Sequence, residues 1–141
     1  MDTLLPAERS ERMALIRSKD TKPELIVRRL VHSLGFRYRL HNRKLPGKPD
    51  LVFAGRRKVI FIHGCFWHRH SRTCPLTRLP KSRLDFWKPK LEKNRRRDLK
   101  NQRFLRAAGW DILVIWECEL SNVESVKLEI LKFLRKDVAI G

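Results

Sequence analysis

The chain has 141 residues, the size of one domain, and its 42% hydrophobic share is enough to build a core. It carries 33 Lys+Arg against 15 Asp+Glu, a formal net charge of +18, a self-repulsion best relieved by a polyanion, nucleic acid first. No run is apolar enough to span a bilayer and the opening MDTLLPAERSERM has no signal-peptide core, so a membrane protein is excluded and a cytoplasmic one is expected.

Charge alone leaves a ribosomal or chromatin-packing protein at least as open as any other nucleic-acid-binding one. The three cysteines, Cys65, Cys74 and Cys118, are odd in number. In a reducing compartment they argue against a disulfide framework and leave metal binding open.

Residues 7–19 are polar with a thin apolar stripe of Met13 and Ile16, a short helix at most. The next helix is clearer. Thr21 and Glu24 form a capping-box pattern, and Pro23 is tolerated in a first turn. Val27, Leu30, Val31 and Leu34 recur at helical spacing, and Gly35 is placed to end the helix. Three strands are expected next, over residues 36–40, 50–53 and 58–62, with Ala54-Gly55-Arg56-Arg57 as a hairpin turn. The all-apolar VIFI at 59–62 predicts a strand buried on both faces.

Residues 63–83 show no clear period. A long irregular stretch in a compact domain is usually functional or pinned by something. A helix is expected over about residues 85–107, with Leu91, Leu99 and Leu105 inward and Gly109 closing it. Residues 111–116 read as another buried strand. Ser121 and Glu124 form a second capping-box pattern ahead of an amphipathic helix carrying Val126, Ile130 and Leu134. The last two strands, joined by the long helix, should be parallel with a right-handed crossover. The fold class is therefore α/β: one mixed sheet with helices on both faces.

Four features carry chemistry. Asp50 heads a strand, where its carboxylate can reach a hard cation such as magnesium, although a turn or capping aspartate in LPGKPD is the commoner reading of that residue alone. HGCFWHRH at 63–70 follows the buried strand, and His63 and His68 sit where catalytic groups gather in open α/β sheets. Imidazoles move protons near neutral pH, as phosphodiester hydrolysis needs. Cys65, His70, Cys74 and Cys118 match a Cys₃His zinc site that would pin the irregular stretch, the alternative being three unrelated buried thiols. Asp98 falls on the inward stripe of its helix, where a charge needs a partner. That partner is a histidine of the loop, or else Arg95 or Lys100.

Phe66, Trp67, Phe86 and Trp87 lie beside basic residues, where aromatics either wedge between stacked bases or pack at a sheet edge. The bases crowd into the loop and the long helix, from Arg69 to Arg106, with few acids between them. That favours a phosphate-facing surface over a merely solvated one.

LPGKPDLVF, VIFIHGCFWHRH, FWKPKLEKNRRRD, GW followed by WEC, and the early RSERMALIRSKDTKPE together resemble the very short patch repair endonuclease family, from about Arg9 to Leu134. The resemblance implies a restriction-endonuclease-like three-layer domain with a structural zinc site. It implies magnesium-dependent hydrolysis on the 5′ side of the thymine in a T:G mismatch left by deaminated 5-methylcytosine. It also implies work beside a cytosine methyltransferase, with the nick passed to a repair polymerase and ligase.

Carried over residue by residue, Asp50 and the main-chain carbonyl of Ile62 match magnesium ligands. His63 and His68 match active-site histidines, Asp98 the acid paired with one of them, and Glu24 an accessory acid. Cys65, His70, Cys74 and Cys118 match zinc ligands. Phe66, Trp67 and Trp87 match aromatics that open the base stack from one groove, and Met13 and Ile16 an N-terminal wedge from the other. Two departures stand out. Ile62 replaces a common threonine, and the interval from His70 to Cys74 is longer than usual.

The expected organisation is a DNA-contacting segment over 1–20, an endonuclease domain over 21–136 and a tail over 137–141, acting as a monomer. The rival functions are a restriction-type or relaxed-specificity nickase, which would keep Asp50, His63 and His68, and a non-catalytic zinc-stabilised DNA-binding protein, which would need no Asp50–His68–Asp98 set.

Overall fold

A computed structural model describes residues 21–40, 44–68, 70, 74–77, 79 and 82–136, with the backbone alone at Phe66 and Trp67. The segment expected to contact DNA, with Met13 and Ile16, lies outside the described residues, as does the tail over 137–141.

Helix α1 spans Lys22–Ser33. Thr21 is its N-cap: the hydroxyl accepts a hydrogen bond from the Glu24 amide at 3.4 Å, satisfying one of the donors a helix start leaves open. Val27 and Val31 are fully buried, and Gly35 takes φ +87° after the last turn, as a helix-ending glycine does.

The sheet has four strands in the order β1 (Arg39–Leu40), β2 (Leu51–Phe53), β3 (Lys58–His63), β4 (Asp111–Trp116). The first two pairings are antiparallel, with Leu40 opposite Leu51 and Leu51 opposite Ile60. The last is parallel, with Ile62 beside Ile115 and His63 beside Trp116. The first strand is shorter than its sequence suggests: only Arg39 and Leu40 pair with β2, while Phe36 and Tyr38 ahead of them pack against the core. The hairpin closes through a 3-10 turn over Ala54–Arg56, with Arg57 left-handed at φ 53°.

The two sheet faces are covered separately. On one, α1 and the last helix, α4 (Val123–Arg135), bring Val27, Val31, Val126, Ile130 and Leu134 onto Leu51, Phe53, Ile60, Ile62 and Ile115. On the other, Val52, Val59 and Phe61 meet Leu105 of the long helix α3 (Leu84–Ala107). A one-turn helix, α2 (Cys65–His68), follows β3 and packs against α3. The expected mixed sheet with helices on both faces is therefore present in three layers.

Two local expectations need correction. Leu99 is 45% exposed. Eight residues beyond Leu91 it has rotated about 80° off the inward stripe, and Asn94 is buried there in its place. The cap of α4 is Asn122, whose side chain accepts from the Ser125 amide at 3.2 Å; a 3-10 turn over Glu117–Ser121 moves the start by one residue and sends the Ser121 hydroxyl to the Cys118 carbonyl. Lys58, at the head of β3, is almost wholly buried. Its ammonium donates to the Phe133 and Lys136 carbonyls, while Arg56 donates to the Leu134 carbonyl at 3.0 Å. Two cations thus satisfy carbonyls that the end of α4 leaves open, where the helix dipole also favours positive charge.

Candidate active site and metal cluster

The chemistry gathers at the C-terminal ends of the parallel strands β3 and β4, where open α/β sheets place their sites. Asp50 stands just before β2. Its amide donates to the Ile60 carbonyl at 3.1 Å and its Oδ2 accepts from the Ile62 amide at 2.7 Å. The carboxylate thus takes the place of the next ladder carbonyl and is fixed beside the end of β3. Burial, with the nearby Glu24 carboxylate adding to it and the hydrogen bond from the Ile62 amide opposing it, pushes its pKa up to about 7. Glu24 is itself buried at the start of α1 and ion-paired to Arg28 at 3.0 Å. The LPGKP turn that delivers Asp50 is pressed against its neighbours. Gly47, at φ +78°, would place a Cβ 3.1 Å from that of Asn101 on α3 and 3.2 Å from the Phe61 ring.

His63 ends β3 and His68 ends α2. Their rings stack face to face, 3.9 Å between centroids and 9° apart in plane. His68 Nδ1 lies 2.5 Å from Asp98 Oδ2. Of the partners open to Asp98 from sequence, it is therefore a loop histidine that takes the carboxylate, while Arg95 reaches Glu92 at 3.8 Å. Such a carboxylate fixes the imidazole's orientation and stabilises its protonated form. His63 is buried, and burial, together with the neighbouring His68, lowers its pKa to about 3. It is therefore neutral near pH 7, and among the described residues its Nδ1 has no hydrogen-bond partner. One ligand atom each from His63, His68 and Asp98 lie within 4.8 Å of one another.

A second cluster sits behind the first. Ligand atoms of Cys65, His70, Cys74 and Cys118 also lie mutually within 4.8 Å. His70 Nδ1 is 3.7 Å from the Cys65 sulfur and 3.3 Å from that of Cys118. A tetrahedral ion with metal–sulfur bonds of about 2.3 Å and a metal–nitrogen bond of about 2.0 Å needs edges of about 3.5–3.8 Å, so this donor set fits a metal. Cys74, the ligand with the unusual spacing, joins the other three. Burial pushes the Cys65 thiol up to about 12 and raises Cys118 as well. A bound cation would reverse that by favouring the thiolates. The cluster ties together the turns that leave β3 and β4.

The aromatics stand differently. Trp87 is 8% exposed and meets Phe86 edge-on at 5.1 Å. The side chains of Phe66 and Trp67 lie outside the described residues. The outward side of α3 exposes Lys93, Arg95, Arg96, Arg97, Lys100, Arg103 and Arg106, with exposed Glu92, Leu99 and Phe104 among them.

A family model described as DNA mismatch endonuclease Vsr matches residues 1–74. The chain belongs to the Vsr family of DNA mismatch endonucleases. The type II nicking enzyme V.XorIIP of Xanthomonas oryzae pv. oryzae is 50% identical over 133 residues, covering 94% of this chain and 96% of that protein. V.NmeAIP of Neisseria meningitidis, also a type II nicking enzyme, is 46% identical over 86% of this chain and 85% of its own length. The DNA mismatch endonuclease Vsr of Escherichia coli is 40% identical over 89% of this chain and 79% of that protein.

The chain is accordingly a DNA endonuclease of the Vsr mismatch-cleaving and nicking type, with a Cys/His cluster able to hold a metal. No helix among the described residues is long and apolar enough to cross a membrane. Within this Vsr-family site, Asn94, Arg28 and Trp116 drew no notice as site residues from sequence. Arg28 carries no motif signal, and Asn94 appears only within FWKPKLEKNRRRD. Trp116 was visible only as the first residue of WEC.

Proposed function

We propose that this endonuclease nicks one strand of duplex DNA on the 5′ side of the thymine in a T:G mismatch, using magnesium for the chemistry and zinc as a structural ion. The observation that carries the reading is the pairing of His68 with Asp98 on the same sheet edge as Asp50. A non-catalytic DNA-binding protein has no use for that set.

His68, held through Nδ1, is free to take a proton at Nε2 from water. The water oxygen bonds to phosphorus and the bond from phosphorus to the 3′ oxygen breaks. The 3′ oxygen leaves as a hydroxyl, completing it with a proton from solvent, and the phosphate stays on the 5′ end. Being neutral, His63 positions the phosphate by hydrogen bonding and not by charge. A buried carboxylate raised to about 7 with a second one nearby suits a divalent cation. Asp50 would hold magnesium together with the Ile62 carbonyl, with Glu24 as accessory acid, and the ion would polarise the phosphoryl oxygen and steady the leaving oxygen. Cys65, His70, Cys74 and Cys118 would hold the zinc.

The basic face of α3 receives phosphates. Phe66, Trp67 and Trp87 on one side, with Met13 and Ile16 of the 1–20 segment on the other, open the stack at the mismatch. The substrate arises where a cytosine methyltransferase acts, and the product suits a repair polymerase and ligase. The enzyme works as a monomer in the cytoplasm.

The test is nicking of labelled duplexes, each with one mismatch in varied contexts, with and without magnesium. Cleavage confined to T:G and dependent on magnesium is expected. Equal nicking of several mismatches would favour a relaxed nickase; two of the relatives are named as nicking enzymes. Cys118→Ser should lose about one zinc per chain along with folded stability; a metal-free wild-type protein that is fully folded would end the zinc assignment.

A further inference from the structure

The two clusters are joined by one side chain. Trp116 ends β4 directly beside His63 in the parallel register, so both side chains leave the same sheet face. The His70 ring stacks on the Trp116 ring, 4.2 Å between centroids and 13° apart in plane. The His63 ring meets the same Trp116 ring edge-on, at 5.1 Å and 77°. His63 in turn stacks on His68, which reaches Asp98. An unbroken series of ring contacts therefore runs from the Cys/His cluster to the histidine–aspartate pair.

We propose that Trp116 is a positioning residue that fixes His63, and through it His68, against the metal cluster. The proposal rests on the reading of His63 and His68 as catalytic.

The physical need is clear at His63. Among the described residues its Nδ1 makes no hydrogen bond, so no bond at that atom sets the ring's rotation. Ring packing bears on it instead. His68 covers a face, Trp116 meets it edge-on, and Phe61 approaches at 5.5 Å and 58°. The edge-on contact with Trp116 is a geometry aromatic pairs prefer, because a ring's positive rim seeks another's negative face.

Trp116 is itself held twice. Its amide donates to Glu119 Oε1 at 3.0 Å within the turn that carries Cys118, and the Cys118 amide donates to the Cys65 sulfur at 3.4 Å. The backbone behind the indole is thus tied to the cluster, and its ring lies on His70. A smaller side chain would leave His63 with a wall missing and room to turn. Misplacement of a reacting group by about 1 Å can cost about a hundredfold in rate.

The experiment compares Trp116→Leu, Trp116→Phe and His68→Ala with wild type. It reads single-turnover nicking of a T:G duplex, DNA affinity, metal content, and the imidazole NMR resonances of His63 and His68. Trp116→Leu should keep its metal and its DNA affinity, shift the His63 and His68 resonances, and nick about ten- to a hundredfold more slowly. Trp116→Phe should fall between it and wild type.

A leucine variant with bound metal that nicks at the wild-type rate overturns the proposal. If that variant loses metal or fold, Trp116→Phe decides: slower nicking at unchanged affinity supports the role, and wild-type nicking contradicts it. His68→Ala separates the two readings. If it nicks normally, the catalytic assignment fails; if it is slow while the Trp116 variants are not, only the positioning role fails.

Discussion

The two faces of the sheet are built for different work. Among the described residues, the core cluster under α1 and α4 holds ten buried hydrophobics and the one under α3 holds four, with Leu91 and Trp87 buried elsewhere on α3. Toward the strand ends α3 turns Asn94 and Asp98 inward, and His63 emerges on the same side as Phe61. One face is close to a uniform apolar layer. The other stops being apolar where the strands end and leaves that space to imidazoles and carboxylates. Such groups cost stability when buried and are kept where chemistry needs them. Stability should therefore be sensitive on the α1/α4 face, and activity on the α3 face and at the strand ends.

Asp50→Asn gives the largest expected departure. Nicking should vanish while DNA binding holds or tightens, because a negative charge near the phosphates is gone. Its effect on stability should have the opposite sign. The folded pKa of Asp50 lies above its ordinary value of 3.8, at about 7. The unfolded chain releases this proton first, so the metal-free protein loses stability as pH rises from about 4 to 7 and loses no more from this group above that. Asp50→Asn removes that loss, which is at most about 4 kcal/mol. Urea denaturation of the metal-free proteins across this range checks it: equal stability of variant and wild type above pH 7 would show that the carboxylate is not strained by burial.

Ile130→Ala probes the other face. Ile130 is fully buried between α4 and the sheet, so about 2–5 kcal/mol of stability should be lost. Well below the new melting point, single-turnover nicking should match wild type. A variant that is stable but slow would show that the two faces are coupled.

The smallest effect belongs to Leu99→Gln. Its side chain is exposed on α3, so denaturation should shift by no more than about 0.5 kcal/mol. A loss of several kcal/mol would return Leu99 to the buried stripe.

What could be read in the sequence differs between the faces for a physical reason. The α1/α4 face was legible because Val27, Val31, Val126, Ile130 and Leu134 follow the helical period and strand β3 is apolar throughout. Periodicity reports burial whenever the buried residues are apolar. On α3 the buried stripe includes polar residues, so Leu99 was drawn inward and Asn94 was overlooked. Asp98 was found because its phase matched Leu91 and Leu105, although its partner stayed open. The Cys/His cluster was legible from residue type, since three thiols and a histidine have few other uses together. Lys58 and Trp116 were not legible. Their roles depend on which carbonyls and which rings a neighbouring element brings near, and that is settled only when α4 docks and the parallel register is set.

The central claim, that the polar end of the α3 face is a nicking centre, is tested most directly by His68→Ala. The measurement is single-turnover cleavage of a T:G duplex at saturating enzyme, with DNA affinity measured on the same preparation. Losing a positioned general base costs about two to four powers of ten in rate, so a fall in that range at unchanged affinity is predicted, and Asp98→Asn should fall less. A His68→Ala enzyme that cleaves at the wild-type rate would contradict the account.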